Sequence, residues 1–165
     1  MPQMTVPQPT VPQTTVLVHA TCVALRPLGT TAVRAWQAIL LRGPSGAGKS
    51  DLALRLIEAG GRLVADDQTR IARRGRALWA SAPAALAGLM EVRGVGILKL
   101  SRGQLLSRAP LSLVVDLVPP DRIERLPEPA RETVLGIDLP LLALAPFEAS
   151  APAKLRLALG RTDAA

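Results

Sequence analysis

One stretch constrains this chain more than any other: Gly43-Pro44-Ser45-Gly46-Ala47-Gly48-Lys49-Ser50, set between the apolar run Ala38-Ile39-Leu40-Leu41 and an amphipathic segment from Leu52 to Ala59. The pattern is the G-x-x-x-x-G-K-[ST] phosphate loop, with a strand expected before it and a helix after it. Three glycines let the backbone come close to a polyphosphate, so that successive N–H groups face the anion with no Cβ in the way. Lys49 supplies a mobile point charge for the β and γ phosphates, and the Ser50 hydroxyl is the usual Mg²⁺ ligand in such a loop. Leu52, Leu56 and Ala59 recur at helical spacing, and Gly60-Gly61 is placed to end the helix.

The sequence therefore predicts an α/β fold, and 165 residues suit one domain with a real core. With one Phe, two Trp and no Tyr, that core must be built from Leu, Ala and Val. The formal charge is +7, carried mostly by arginine. A basic balance permits nucleic acid, an anionic nucleotide or an acidic partner. Aromatic stacking residues are nearly absent, which argues against single-strand binding, and a solvated basic surface is the simpler reading of the excess. Cys22, the single cysteine, excludes an intramolecular disulfide and reads as a buried small hydrophobe. No apolar window is long enough to span a membrane and no signal-peptide pattern opens the chain, so a cytoplasmic protein is expected.

Residues 1–15 repeat Pro-Gln and Thr-Val-Pro without charge or helical period and read as a disordered tail; 16–160 form the phosphate-loop domain and 161–165 a second tail. Val16 to Leu25 suits one strand, and Arg26-Pro27-Leu28-Gly29-Thr30 a turn into the strand ending at Leu41, making a hairpin beside the loop. Gly61 to Ala65 is a short strand closed by Asp66-Asp67. Thr69 to Ile71 and Ala77 to Ala80 form another hairpin, whose Arg70 to Arg76 cluster reads as a solvated tip rather than a docking patch. Ser81 to Met90 reads as loop and a helical turn. The run Glu91-Val92-Arg93-Gly94-Val95-Gly96-Ile97 mixes charge with two glycines among apolar residues, a costly thing to place near a core without a ligand. Leu111 to Leu117 is a strong strand stopped by Pro119-Pro120. Asp121 to Glu132 reads as surface, Gly136 to Ala145 as a strand that Pro140 demotes in part to an edge, and Ala153 to Leu159 as a helix ending before Gly160.

The phosphate loop, Leu63-Val64-Ala65-Asp66-Asp67 and the Glu91-to-Ile97 block, in that order, resemble the catalytic domain of bacterial HPr kinase/phosphorylase, in a compact form lacking the N-terminal domain. The third block is the specific one, since many nucleotide-binding proteins share the first. The resemblance covers about Val16 to Leu159 and implies a single-domain nucleotide-binding fold akin to phosphoenolpyruvate carboxykinase. It implies an ATP- and Mg²⁺-dependent kinase acting on a serine of the phosphocarrier HPr, with phosphorolytic dephosphorylation to pyrophosphate as the reverse reaction. It also implies a homo-oligomer, hexameric in the family, with no nucleic-acid or membrane partner. By the same resemblance Gly43 to Ser50 hold the nucleotide phosphates, Ser50 and Glu91 the metal, and Asp67 is the general base. Asp66 supports the metal or the cationic network, His19 matches the histidine on the strand before the loop, and Glu91, Arg93, Gly94 and Gly96 belong to the signature needed for both directions.

The family's catalytic arginine lies in a Pro-Gly-Arg-Asn context, and the nearest match here is Pro152-Ala153-Lys154-Leu155. Lys154 thus stands where a fork-shaped donor is expected, and that exchange is not conservative at a phosphate site. The link from His19 to the loop is longer than usual, and the segment beyond Lys154 that the family ties to dephosphorylation and to gripping HPr is short, which favours the kinase direction. Adjacent residues on a strand point opposite ways, so Asp66 and Asp67 are expected to divide the work; a turn or N-cap pair is the plainer alternative. Asp116, at the end of Leu-Val-Val-Asp, competes for the acid's role. Two other functions stay open: a nucleotide-binding sensor that signals by binding a partner, and a small-molecule kinase, for which no Arg-rich lid is evident.

Overall fold

A computed structural model of the chain describes residues 14–27 and 36–162. In order it forms β1 (Thr15–His19), β2 (Thr21–Leu25), β3 (Gln37–Arg42), α1 (Lys49–Glu58), β4 (Arg62–Ala65), β5 (Gln68–Arg74), β6 (Ala77–Ser81), β7 (Leu89–Val92), β8 (Gly96–Lys99), β9 (Arg108–Leu117), β10 (Ala130–Val134), β11 (Ile137–Leu144) and α2 (Ala151–Thr162). The architecture is a mixed sheet with few helices. Nine strands share it in the order β1-β5-β6-β9-β3-β2-β4, with β11 beside β9 and β10 beyond it, while β7 and β8 form a separate hairpin.

The long strand β9 holds the layers together. Its first residues pair antiparallel with β6, Ala80 opposite Ala109, and its later ones pair parallel with β3, Leu41 opposite Val115. Alternation then builds a core on each face. Val23, Ile39, Leu41, Leu113 and Val115 point to one side, where Leu52 and Leu56 of α1 and Leu155 and Leu159 of α2 cover them. Cys22, Ala24, Leu40 and Val114 point to the other, against Ile71, Leu78 and Ala80 of the β5–β6 hairpin. Leu111 belongs to the second cluster and Leu113 to the first although they are two positions apart and alternation would put them on one face, because Ser112 between them is bulged out of the β3–β9 register. One strand thereby serves both cores.

Helix α1 ends as its glycines require. Gly60 has φ +96°, its N–H donates to Ile57 O at 3.0 Å, and Gly61 N–H donates to Leu56 O at 2.8 Å, which is the Schellman arrangement. The β2–β3 hairpin and the β5–β6 hairpin form as expected, and Cys22 is fully buried among apolar neighbours, which pushes its thiol pKa well up. The surface explains part of the basic excess: guanidiniums of Arg26 and Arg62 lie 4.6 and 4.9 Å from the Trp36 ring centre, and Arg108 lies 5.6 Å from that of Trp79.

Several expectations need correction. The run from Val16 to Leu25 is two strands, broken at Ala20, because β1 leaves to pair with β5 while β2 pairs with β3. Thr14 and Thr15 belong to the sheet rather than to a tail, since Arg73 N–H donates to Thr14 O and β1 begins at Thr15. Residues 1–13, the turn from Leu28 onward and residues 163–165 lie outside the described residues. The last residues of the segment read as plain surface, Ala130 to Glu132, open the edge strand β10, which pairs with β11. Helix α2 starts earlier than expected and runs through Gly160 to Thr162, where its apolar residues Leu155 and Leu159 secure it against the core. Pro140 does sit on the part of β11 that pairs with β10 alone. No helix among the described residues is long and apolar enough to cross a membrane.

Candidate active site

The turn between β3 and α1 is the phosphate-loop stretch, and Gly48 caps the helix with φ +96°. The left-handed backbone there calls for glycine, and a Cβ would stand 2.8 Å from the Phe147 ring and displace it. Lys49 is the first helical residue and is nearly buried, its Nζ donating to Gly43 O at 2.6 Å and to Pro44 O at 3.0 Å. The ammonium is thus held over the loop that the sequence singled out.

Directly beside it, the strand β4 delivers Asp66 into the protein. Asp66 Oδ1 accepts from Ser50 Oγ at 2.8 Å and from Thr21 Oγ1 at 3.1 Å, and Oδ2 accepts from Glu91 N–H at 3.0 Å. A buried carboxylate with three donors ties α1, β2 and β7 to the end of β4. Asp67 turns the other way. It adopts a left-handed backbone, φ +64°, and its exposed carboxylate lies 3.3 Å from His19 Nδ1. The two aspartates do divide their directions, one inward and one outward.

Outward lies a cleft of about 460 Å³ whose walls include Ser45, Lys49 and Ser50 from the loop and helix, His19 and Asp67, and Glu91 with Arg93 from the β7–β8 hairpin; Leu54, Val92 and Phe147 add apolar wall. The structure therefore gathers His19, Lys49, Asp67, Glu91 and Arg93 at one opening, with Asp66 beneath. A larger groove of about 870 Å³ lies between β9, β10, β11 and the end of α2, away from the loop.

The Glu91-to-Ile97 block corrects an expectation. It is an exposed hairpin, not a buried run: Val95 and Ile97 are 68 % and 73 % exposed, and Gly94 and Gly96 take positive φ at its turn. Only its first residues reach the cleft. Lys154 is not brought there; it lies on α2 with its ammonium bonded to Glu148. Asp116, the competing acid, is gripped by Arg42, Nε to Oδ1 at 2.8 Å and Nη2 to Oδ2 at 3.1 Å, while Arg42 Nη1 also reaches Glu132 at 2.7 Å. These bonds, those donated to Asp116 first, raise the guanidinium's pKa further.

Among the described residues no group of three His, Cys, Asp or Glu side chains could enclose a metal. A hard cation that keeps water and ligand phosphates needs only one or two protein carboxylates, and the oxygens of Ser50, Asp66 and Glu91 suit such a cation. Sequence reading missed Thr21, which binds Asp66 from across the sheet, and Phe147. Thr21 carried a faint signal, a polar residue inside an otherwise apolar strand; Phe147 had none beyond being the one Phe.

Fold and site together define an α/β protein in which a strand, a glycine loop and a helix face a pair of acids at the end of the next strand. The family model of the HPr serine kinase C-terminal domain matches residues 14–151, and the chain belongs to that family. It is 38 % identical over 115 residues to the HPr kinase/phosphorylase of Geobacillus thermodenitrificans, covering 64 % of this chain and 37 % of that protein. With the HPr kinase/phosphorylase of Limosilactobacillus reuteri the figures are 36 % over 115 residues, 64 % and 36 %. The chain thus spans little more than a third of the length of these curated relatives. In structure it resembles the Hpr(Ser) kinase/phosphatase from Coxiella burnetii, with a TM-score of 0.72 and 24 % identity over 90 % of this chain and 96 % of that one, a likeness of fold.

Proposed function

We propose that the chain is an ATP- and Mg²⁺-dependent kinase that phosphorylates a serine of an HPr-like phosphocarrier and can run the reaction backwards with inorganic phosphate. The carrying observation is the split aspartate pair: Asp66 bonded inward to Ser50 and Asp67 facing outward into the same cleft as Lys49. Phosphoryl transfer asks the protein for alignment and charge neutralisation. Lys49 and the N–H groups of the loop hold the phosphates. Ser50, Asp66 and Glu91 would hold Mg²⁺, whose charge offsets that of the phosphate oxygens. Asp67 accepts the proton of the attacking seryl hydroxyl as the Oγ–P bond forms and the bond to ADP breaks. His19, against one Asp67 oxygen, orients the carboxylate and leaves its other oxygen for that proton. In reverse, a phosphate oxygen attacks the phosphoserine, Asp67 returns the proton to the serine and pyrophosphate leaves.

A second reading, a nucleotide-binding sensor, draws on Lys154, which is tied to Glu148 outside the cleft where the family's arginine would act. Incubation with labelled ATP, Mg²⁺ and a panel of HPr-like carriers separates the two. Label on serine, released as pyrophosphate when phosphate is added, is the kinase result. Tight ATP binding with every carrier unlabelled would sink the kinase and leave the sensor.

A further inference from the structure

Phe147 is the one phenylalanine in the chain, and it is 69 % exposed. A single apolar residue on a surface needs no explanation. This one is different in being held. It sits in the short link between β11 and α2, and both neighbours are fixed: Arg55 of α1 donates to Pro146 O, and Glu148 is bonded by Lys154 one turn into α2. Ala151 N–H also donates to Glu148 O at 3.0 Å. The ring's Cζ and Cε1 rest on Gly48, at 2.8 and 3.0 Å from where a Cβ would stand, so the absence of a side chain at the helix cap is what lets the ring settle there.

Its surroundings add chemistry. Phe147, with Leu54 and Val92, supplies the apolar wall of a cleft whose other side chains carry hydroxyl, ammonium, guanidinium, imidazole and carboxylate groups. Leu54 is one helical turn after Ser50, and the Phe147 ring rests on Gly48, so apolar surface adjoins the phosphate loop. A bare polyphosphate would gain nothing from that surface. A flat heterocycle joined to the phosphates would stack on the ring and bury it.

We infer that Phe147 is the platform for the base of the nucleotide, so that the cleft selects a nucleoside triphosphate over an inorganic polyphosphate; this rests on the nucleotide reading proposed above.

The test compares ligands that share phosphates and differ in the base. ATP and inorganic tripolyphosphate are titrated, with Mg²⁺, into the full chain, Phe147→Ala and Phe147→Trp. Base–aromatic stacking predicts that Phe147→Ala weakens ATP by about tenfold or more while tripolyphosphate stays within about twofold, and that Phe147→Trp restores ATP. Equal losses for both ligands, or no loss for either, would overturn the platform while leaving nucleotide binding intact. Wild-type protein that binds neither ligand would remove the nucleotide reading and this inference with it.

Discussion

Two aspartates at strand ends flank the base of the glycine loop, and their partners make them opposites. Asp116, at the end of β9, meets the fork of Arg42 on the neighbouring strand, which also reaches Glu132. Its charge is matched by a fixed cation, so it serves as a brace for the residue that immediately precedes the loop. Asp66, at the end of β4, has only hydroxyls and one backbone N–H as partners, and Asp67 beside it has His19 and open cleft. An acid beside a strand end is available for chemistry when its neighbours are neutral donors, and structural when a guanidinium owns it. The sequence motif Leu-Val-Val-Asp cannot tell these apart, because what decides is a cation that lies 74 positions away.

That contrast breaks most sharply at Asp67. Asp67→Asn is expected to lower phosphoserine formation about 10²- to 10⁴-fold while ATP binding, measured by titration, stays within a few-fold. Retained turnover would hand the base's role to another group. Next comes Thr21→Val, nearly isosteric and wholly buried, which leaves Asp66 short of a donor and should cost about 1–3 kcal/mol in urea unfolding. Asp116→Asn should cost about 1 kcal/mol or less, shrink further in high salt, and leave transfer within about threefold, since the pair is partly exposed. A large loss of activity there would reverse the assignment of the two acids. Smallest of all, Lys154→Ala should change the rate of transfer by no more than about threefold, because it severs one surface ion pair. A loss of a hundredfold would mean that the ammonium reaches the phosphates after all.

The legible parts of the fold were those in which neighbours in sequence are neighbours in space. The loop, the helix with its Gly60-Gly61 ending and both hairpins follow from turn residues and from apolar spacing. The split at Ala20 was hidden because Val16 to Leu25 is apolar throughout, and only the distant partners of each half, Gln68 to Ala72 and Gln37 to Leu41, divide it. The run from Glu91 to Ile97 reads as near-core because its valines and isoleucine suggest burial, yet only Val92 packs against the core, beside the buried Met90, while Val95 and Ile97 point outward at the tip of a hairpin separate from the main sheet. In the site, Lys49, Ser50 and the aspartates were placed by motif. Thr21, Arg42 and Phe147 enter through contacts across the sheet or between its last strand and α1, which no local pattern encodes.

The bulge at Ser112 also bears on how the chain reaches this state. Because β9 closes one layer through β6 and the other through β3 and β11, neither layer can be finished before it arrives. The joint of Arg42 with Asp116 closes a loop of 74 positions, a costly early step for a growing or refolding chain. The strand before the glycine loop thus waits, unpaired on one side, until β9 is in place. Because both layers close on β9, slow hydrogen exchange is expected along its backbone.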